Sequence, residues 1–141
     1  MKITFRCQHC GNQKEINTSQ SRGKYCSNRC QHDFQKQQIV TRWLNGDYDG
    51  VVSKNTVASI ANAIREYLIG KTEGKCVKCK QSLIHPITEK SGLQIHHKDG
   101  NALNNNEKNL EVLCPNCHWL TSNFGNMNKN SFRKKKKIVY V

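Results

Sequence analysis

Apolar positions are sparse along this chain, and where they recur they do so with two different periods. Between Gln31 and Leu44 the apolar members Phe34, Val40, Trp43 and Leu44 fall at helical spacing, with Gly46 just past the last of them. This predicts an α-helix. Asn45 to Gly50 reads as a turn-rich linker. Val57, Ile60, Ala61, Ile64 and Leu68 then recur at three- and four-residue steps, so a second amphipathic helix is expected, stopped by Gly70. Its other face carries Asn62, Arg65 and Glu66, and the simplest use of the two helices is to pack on each other. Arg42 and Arg65 have the reach to meet a phosphate, although a lone arginine is more often simply solvated.

From Leu93 the period shortens to two. Leu93 and Ile95 alternate with Gln94 and His96, and Leu110, Val112 and Leu113 form a second short apolar run. Asp99-Gly100-Asn101 and Asn104 to Asn106 are turn chemistry, because these residues tolerate left-handed backbone and form local Asx turns. Pro115 suits the first position of a helix, where no amide donor is needed. The expectation is strand, loop, strand, helix. His118 then sits in the first helical turn with its ring able to face the strand that carries His96 and His97, so that imidazoles converge on one point.

Eight cysteines fall into two sets of four, each made of pairs at CxxC or CxxxC spacing. Cys7, Cys10, Cys26 and Cys30 suit a tetrahedral zinc, and four thiolates would leave no position for water. His9 and His32 are spare candidates for a mixed shell. Cys76, Cys79, Cys114 and Cys117 form the second set, with 34 residues between Cys79 and Cys114. That gap is long for a simple zinc ribbon and makes sense if the two-stranded hairpin is inserted between the knuckles. Such a zinc would supply folding energy directly, on the order of 10–16 kcal/mol.

Composition sharpens this picture. At 141 residues and 35% apolar content, the chain is too lean to give each half an ordinary core, the situation in which small domains lean on metals or disulfides. No signal peptide and no apolar run of membrane length is seen. A cytoplasmic location is therefore expected, which favours metal over disulfide. With 23 basic against 10 acidic residues the net charge is +13, pointing to a polyanion, above all nucleic acid. Arg133-Lys134-Lys135-Lys136-Lys137 near the C-terminus is a like-charge run that either contacts backbone phosphate or stays solvated. His85 and His9 keep no company that suggests a role.

The segment from Leu93 to His118 resembles the HNH endonuclease motif, the ββα-metal nuclease fold, in the form flanked by two CxxC pairs. Arg42 to Gly46, Asp49-Gly50, Ile64 to Leu68 and Leu113 to Lys129 resemble a group of small phage-type HNH endonucleases, some of homing type, in which a zinc knuckle precedes the nuclease. The likeness covers roughly Cys7 to Lys129, and it is specific because several features must coincide. Many relatives carry Asp-His where this chain has His96-His97, although the His-His form also occurs in the family.

The resemblance implies an α+β, zinc-stabilised protein in four parts: a four-cysteine zinc knuckle over 1–35, a helical linker region over 36–70, an HNH nuclease domain over 71–125 and a basic tail over 126–141. It implies a metal-dependent endonuclease acting on double-stranded DNA in a bacterial host cell, with no small-molecule substrate and no membrane. By the motif, His97 is the general base, His96 and His118 hold the catalytic divalent ion, and Asn109 braces the loop and helps orient the base. His96 in place of Asp moves the metal preference from Mg²⁺ towards Mn²⁺, Ni²⁺, Co²⁺ or Zn²⁺. Activity is expected with Mg²⁺ or Mn²⁺ and at least as well with the other transition metals, with Asp99 a minor option for an oxygen ligand. The alternative is a non-catalytic zinc-finger DNA-binding or regulatory protein that keeps the fold. A third option, a ribosomal-type RNA-binding zinc protein, leaves the histidines idle. Oligomeric state and target sequence are not legible.

Overall fold

The computed structural model describes residues 1–17, 23–53 and 59–129. They form a small mixed α/β structure of three two-stranded antiparallel sheets and three α-helices. Strands β1 (Lys2–Arg6) and β2 (Gln13–Asn17) make a hairpin with Ile3 opposite Ile16. Helix α1 (Asn28–Leu44) follows, capped by Ser27, whose hydroxyl accepts from the Cys30 amide at 3.2 Å. It ends at Asn45, where Gly46 takes φ +83 and returns its amide to the Trp43 carbonyl.

After α1 the chain departs from the helical expectation. Val51–Ser53 (β3) pairs with Ser59–Ile60 (β4), so Ile60 lies on a strand, and helix α2 runs from Asn62 to Lys71. Val57 lies outside the described residues. Gly70 is inside the last turn instead of stopping it. The helix closes at Thr72, and the left-handed pair Glu73 and Gly74 turns the chain away. Arg65 is held against the second half of the chain, its Nη2 donating to the carbonyls of Ser91 (3.2 Å) and Leu93 (2.7 Å). Arg42 lies over the Tyr48 ring at 5.9 Å.

The two helices do pack on each other, joined at one edge by Lys36 and Glu66 at 2.7 Å and inside by Trp43 edge-on to Tyr67, 6.1 Å between centroids. Strands β5 (Gln94–His97) and β6 (Leu110–Leu113) pair antiparallel, His96 opposite Glu111 and His97 opposite Leu110. Helix α3 (Pro115–Trp119) follows with Pro115 in its first turn. One core unites these parts: Trp43, Ala61, Ile64 and Leu68 from the helical half meet Cys76, Leu93, Leu110, Val112, Leu113 and Cys114 from the other. Ile64, Leu93 and Leu113 are fully buried, each worth roughly 1.5–3 kcal/mol of transfer from water. Among the described residues no helix is long and apolar enough to cross a membrane.

Candidate metal centres and histidine site

Both cysteine sets assemble. The sulfurs of Cys7, Cys10, Cys26 and Cys30 lie within 4.8 Å of one another, as do those of Cys76, Cys79, Cys114 and Cys117. A zinc tetrahedron with bonds of about 2.3 Å has sulfur–sulfur edges of about 3.8 Å. The sulfurs of Cys10 and Cys26 are 3.6 Å apart, those of Cys26 and Cys30 3.3 Å, and those of Cys79 and Cys114 3.7 Å. Both groups are therefore able to hold zinc.

The electrostatics agree with a thiolate site. The Cys10 backbone amide, donating to Cys7 sulfur, leads the interactions that bring that thiol down to about 6. Burial works against ionisation at Cys76, but amides of Cys79, Cys114 and Lys78 outweigh it and bring it to about 6 as well. Cys26 and Cys117 are pushed up to about 12, chiefly by hydrogen bonds to Cys30 and Cys114, because a thiol that donates to a neighbouring sulfur holds its proton. Hydrogen bonding from Ser27, and then from His9, lowers the Cys30 thiol. The second set is built into the fold: Cys114 caps α3, and Val77 donates to the Val112 carbonyl at 3.0 Å, holding the first knuckle against β6.

Beside this second set, β5 and α3 bring two imidazoles together. The rings of His96 and His118 lie 5.0 Å apart, edge to face, and Phe124 meets His118 at 5.2 Å. His118 Nδ1 lies 2.6 Å from Gln94 Oε1. With that oxygen accepting, the hydrogen sits on Nδ1 and the lone pair on Nε2. Burial, and then the neighbouring His118, holds His96 below the ordinary histidine value. Burial does the same to His118. Both are thus kept neutral, the form that binds metal. Glu111, opposite His96 in the register, places Oε1 3.9 Å from His96 Nε2. Among the described residues only the two cysteine sets bring three or more candidate ligand atoms within 4.8 Å of one another, so His96, His118 and Glu111 are neighbours without forming a closed donor set.

His97 does not join this pair. Consecutive strand residues leave a sheet on opposite sides, so His97 turns the other way, where its Nε2 meets Asn105 Oδ1 at 2.8 Å. Its backbone still lies one residue, about 3.8 Å, from that of His96. Asn109 holds the loop: its side chain donates to Asp99 Oδ1 (2.9 Å) and the Asn104 carbonyl (2.8 Å) and accepts from the Asp99 amide (3.1 Å). Its backbone carbonyl takes the Lys98 amide. Asp99 is occupied in this network, accepting also from the Asn101 amide and the Asn104 side chain. Asn123, after α3, donates to the carbonyls of His97 and Lys98. His85 takes the amides of Ile87 and Thr88 on its Nδ1 and serves a turn. Gln94, Glu111, Asn105 and Asn123 escape a reading by motif, since nothing in the local sequence marks them. Residues Arg133 to Lys137 lie outside the described residues.

No family model matches the chain, and no solved structure matches it. Over 49 residues, 33% of this chain, it is 49% identical to the H-N-H endonuclease F-TflIV of Escherichia phage T5. The match spans only 20% of that protein's length. A part of this chain is thus similar to a part of a phage H-N-H endonuclease.

Proposed function

We propose that the protein is a metal-dependent endonuclease that hydrolyses phosphodiester bonds of double-stranded DNA by the HNH mechanism. The observation that carries this is the meeting of His96 and His118 from β5 and α3, with His97 one residue away on the loop side. The local similarity to a phage H-N-H endonuclease supports it, and so does a net charge of +13. His96 and His118 would hold the divalent ion, with the Glu111 carboxylate facing them. When bound, such an ion neutralises charge on the phosphate and on the departing oxygen.

The remaining work falls to the chain. His97 takes a proton from water, whose oxygen bonds to phosphorus as the ester P–O bond breaks; the departing oxygen then takes a proton from solvent. Asn109 and Asn123 hold the backbone on which His97 sits, and the two cysteine groups hold structural zinc. Phosphate contacts by the basic surface, including the run Arg133 to Lys137, would give most of the affinity and make it fall with salt.

The test is supercoiled plasmid incubated with zinc-loaded protein, with added Mg²⁺, Mn²⁺, Ni²⁺ or Co²⁺, and with His97→Ala. Metal-dependent nicking that disappears in H97A, with both zinc ions retained, supports the assignment. Wild-type protein that retards DNA but leaves it intact under every metal assigns the chain to the non-catalytic DNA-binding class.

A further inference from the structure

The asparagine run 104–106 reads as generic turn chemistry, yet its middle member is only 5% exposed. Three of its polar atoms are committed to distant residues. Its backbone carbonyl accepts from Trp43 Nε1 at 2.8 Å, its Nδ2 donates to the Asp49 carbonyl at 3.0 Å, and its Oδ1 lies 2.8 Å from His97 Nε2. The chain beside Asp49 comes close to reach it. Gly50 sits at φ +76, and a Cβ there would lie 3.4 Å from both the Asn105 Cβ and the Trp43 ring.

A carbonyl oxygen can only accept, so Asp49 dictates which end of the Asn105 amide faces it. That end is the nitrogen. The amide oxygen therefore faces His97, and an acceptor in that place requires the imidazole hydrogen on Nε2. Nδ1 is left with the lone pair.

Resting on the endonuclease reading, we propose that Asn105 is the positioning residue of the His97 base. It fixes the ring as the Nε2–H tautomer, makes Nδ1 the atom that receives the proton of water, and ties this choice to α1 through Trp43 and to the segment after α1 through Asp49. The arrangement is built for orientation: the residue touching the base is itself held at both ends by the helical half of the protein.

The readout is the tautomer, measured by imidazole ¹⁵N–¹H correlation spectra of the zinc-loaded chain with no other divalent ion. Wild type should show His97 with its hydrogen on Nε2 and a bare Nδ1, and Asn105→Ala should mix the two tautomers. In plasmid nicking, N105A should lose kcat on the order of 10- to 100-fold with KM for DNA unchanged. Asn105→Asp, which keeps an acceptor, should restore the Nε2–H spectrum. A wild-type spectrum with the hydrogen on Nδ1, or an N105A variant that keeps both tautomer and kcat, overturns the proposal, and the first of these needs no variant to fold. Wild-type protein inert on DNA overturns the endonuclease reading instead, while loss of the Nε2–H form in N105A still establishes that Asn105 sets the ring.

Discussion

Replacing Trp43 with Phe isolates one bond that joins the helical half to the histidine loop. Trp43 is buried at the end of α1, and its indole Nε1 donates to the Asn105 carbonyl at 2.8 Å across 62 positions of sequence. Phenylalanine keeps an aromatic edge for Tyr67, 6.1 Å away, but has no donor. The Asn105 carbonyl is then left buried and unsatisfied, costing about 1–3 kcal/mol. The smaller ring also leaves volume unfilled, which adds to the loss. At roughly 2–4 °C per kcal/mol for a chain near this size, the melting temperature should fall by roughly 2–12 °C. Thermal unfolding followed by circular dichroism at fixed free zinc measures it, since metal loss would otherwise blur the transition. Nicking by W43F should weaken while divalent binding at His96 and His118 persists. A W43F protein melting with the wild type would refute the claim that the indole anchors this loop.

Removing zinc should collapse the hairpin and α3. Apparent binding of about 10–16 kcal/mol matches or exceeds the usual 5–15 kcal/mol stability of a domain, so a thiol-competing chelator should release two ions per chain and abolish the ordered circular dichroism spectrum. Gly100→Ala places a Cβ 2.3 Å from Asn128 Oδ1 at φ +74, which should break the 2.7 Å bond from Asn128 to the Gly100 carbonyl and cost at least about 1–2 kcal/mol for the left-handed backbone alone, read by urea unfolding. Glu111→Gln removes the carboxylate that draws positive charge towards His96 and His118, and calorimetry should show Mn²⁺ affinity lowered on the order of 10- to 100-fold. Both imidazoles titrate below their ordinary 6.5 in the folded chain, so the unfolded chain binds more protons. Without the divalent ion, their contribution to stability is complete above pH 6.5 and should be lost as pH falls through the lowered values.

What the sequence made legible follows from where its signals are local. Strands β5 and β6 and helix α3 stand out because a period of two, an Asn-Gly turn cluster and Pro115 sit side by side. Helix α1 shows through Trp43, Leu44 and Gly46 in the same way. The start of α2 misleads because Ile60 and Ala61 match a helical step, while Ile60 pairs across to Val51 in a strand too short to display its own period. In the hairpin β1–β2 the first strand does alternate, Ile3 and Phe5 between Lys2, Thr4 and Arg6, but the second offers Ile16 alone, too little to display a period of its own. Asn105 is the hardest to see. Nothing distinguishes it from Asn104 and Asn106 except partners at residues 43, 49 and 97, which only the fold assembles.

The core that runs from Trp43 to Cys114 constrains any attempt to transplant this site. The segment from 71 to 129 is not a portable cassette, because Leu93, Leu110 and Val112 would surrender their covering of Ile64 and Leu68 to solvent. A graft that carries α1 and α2 along with the histidines should behave as a module. One cut at residue 70 should yield an aggregating fragment.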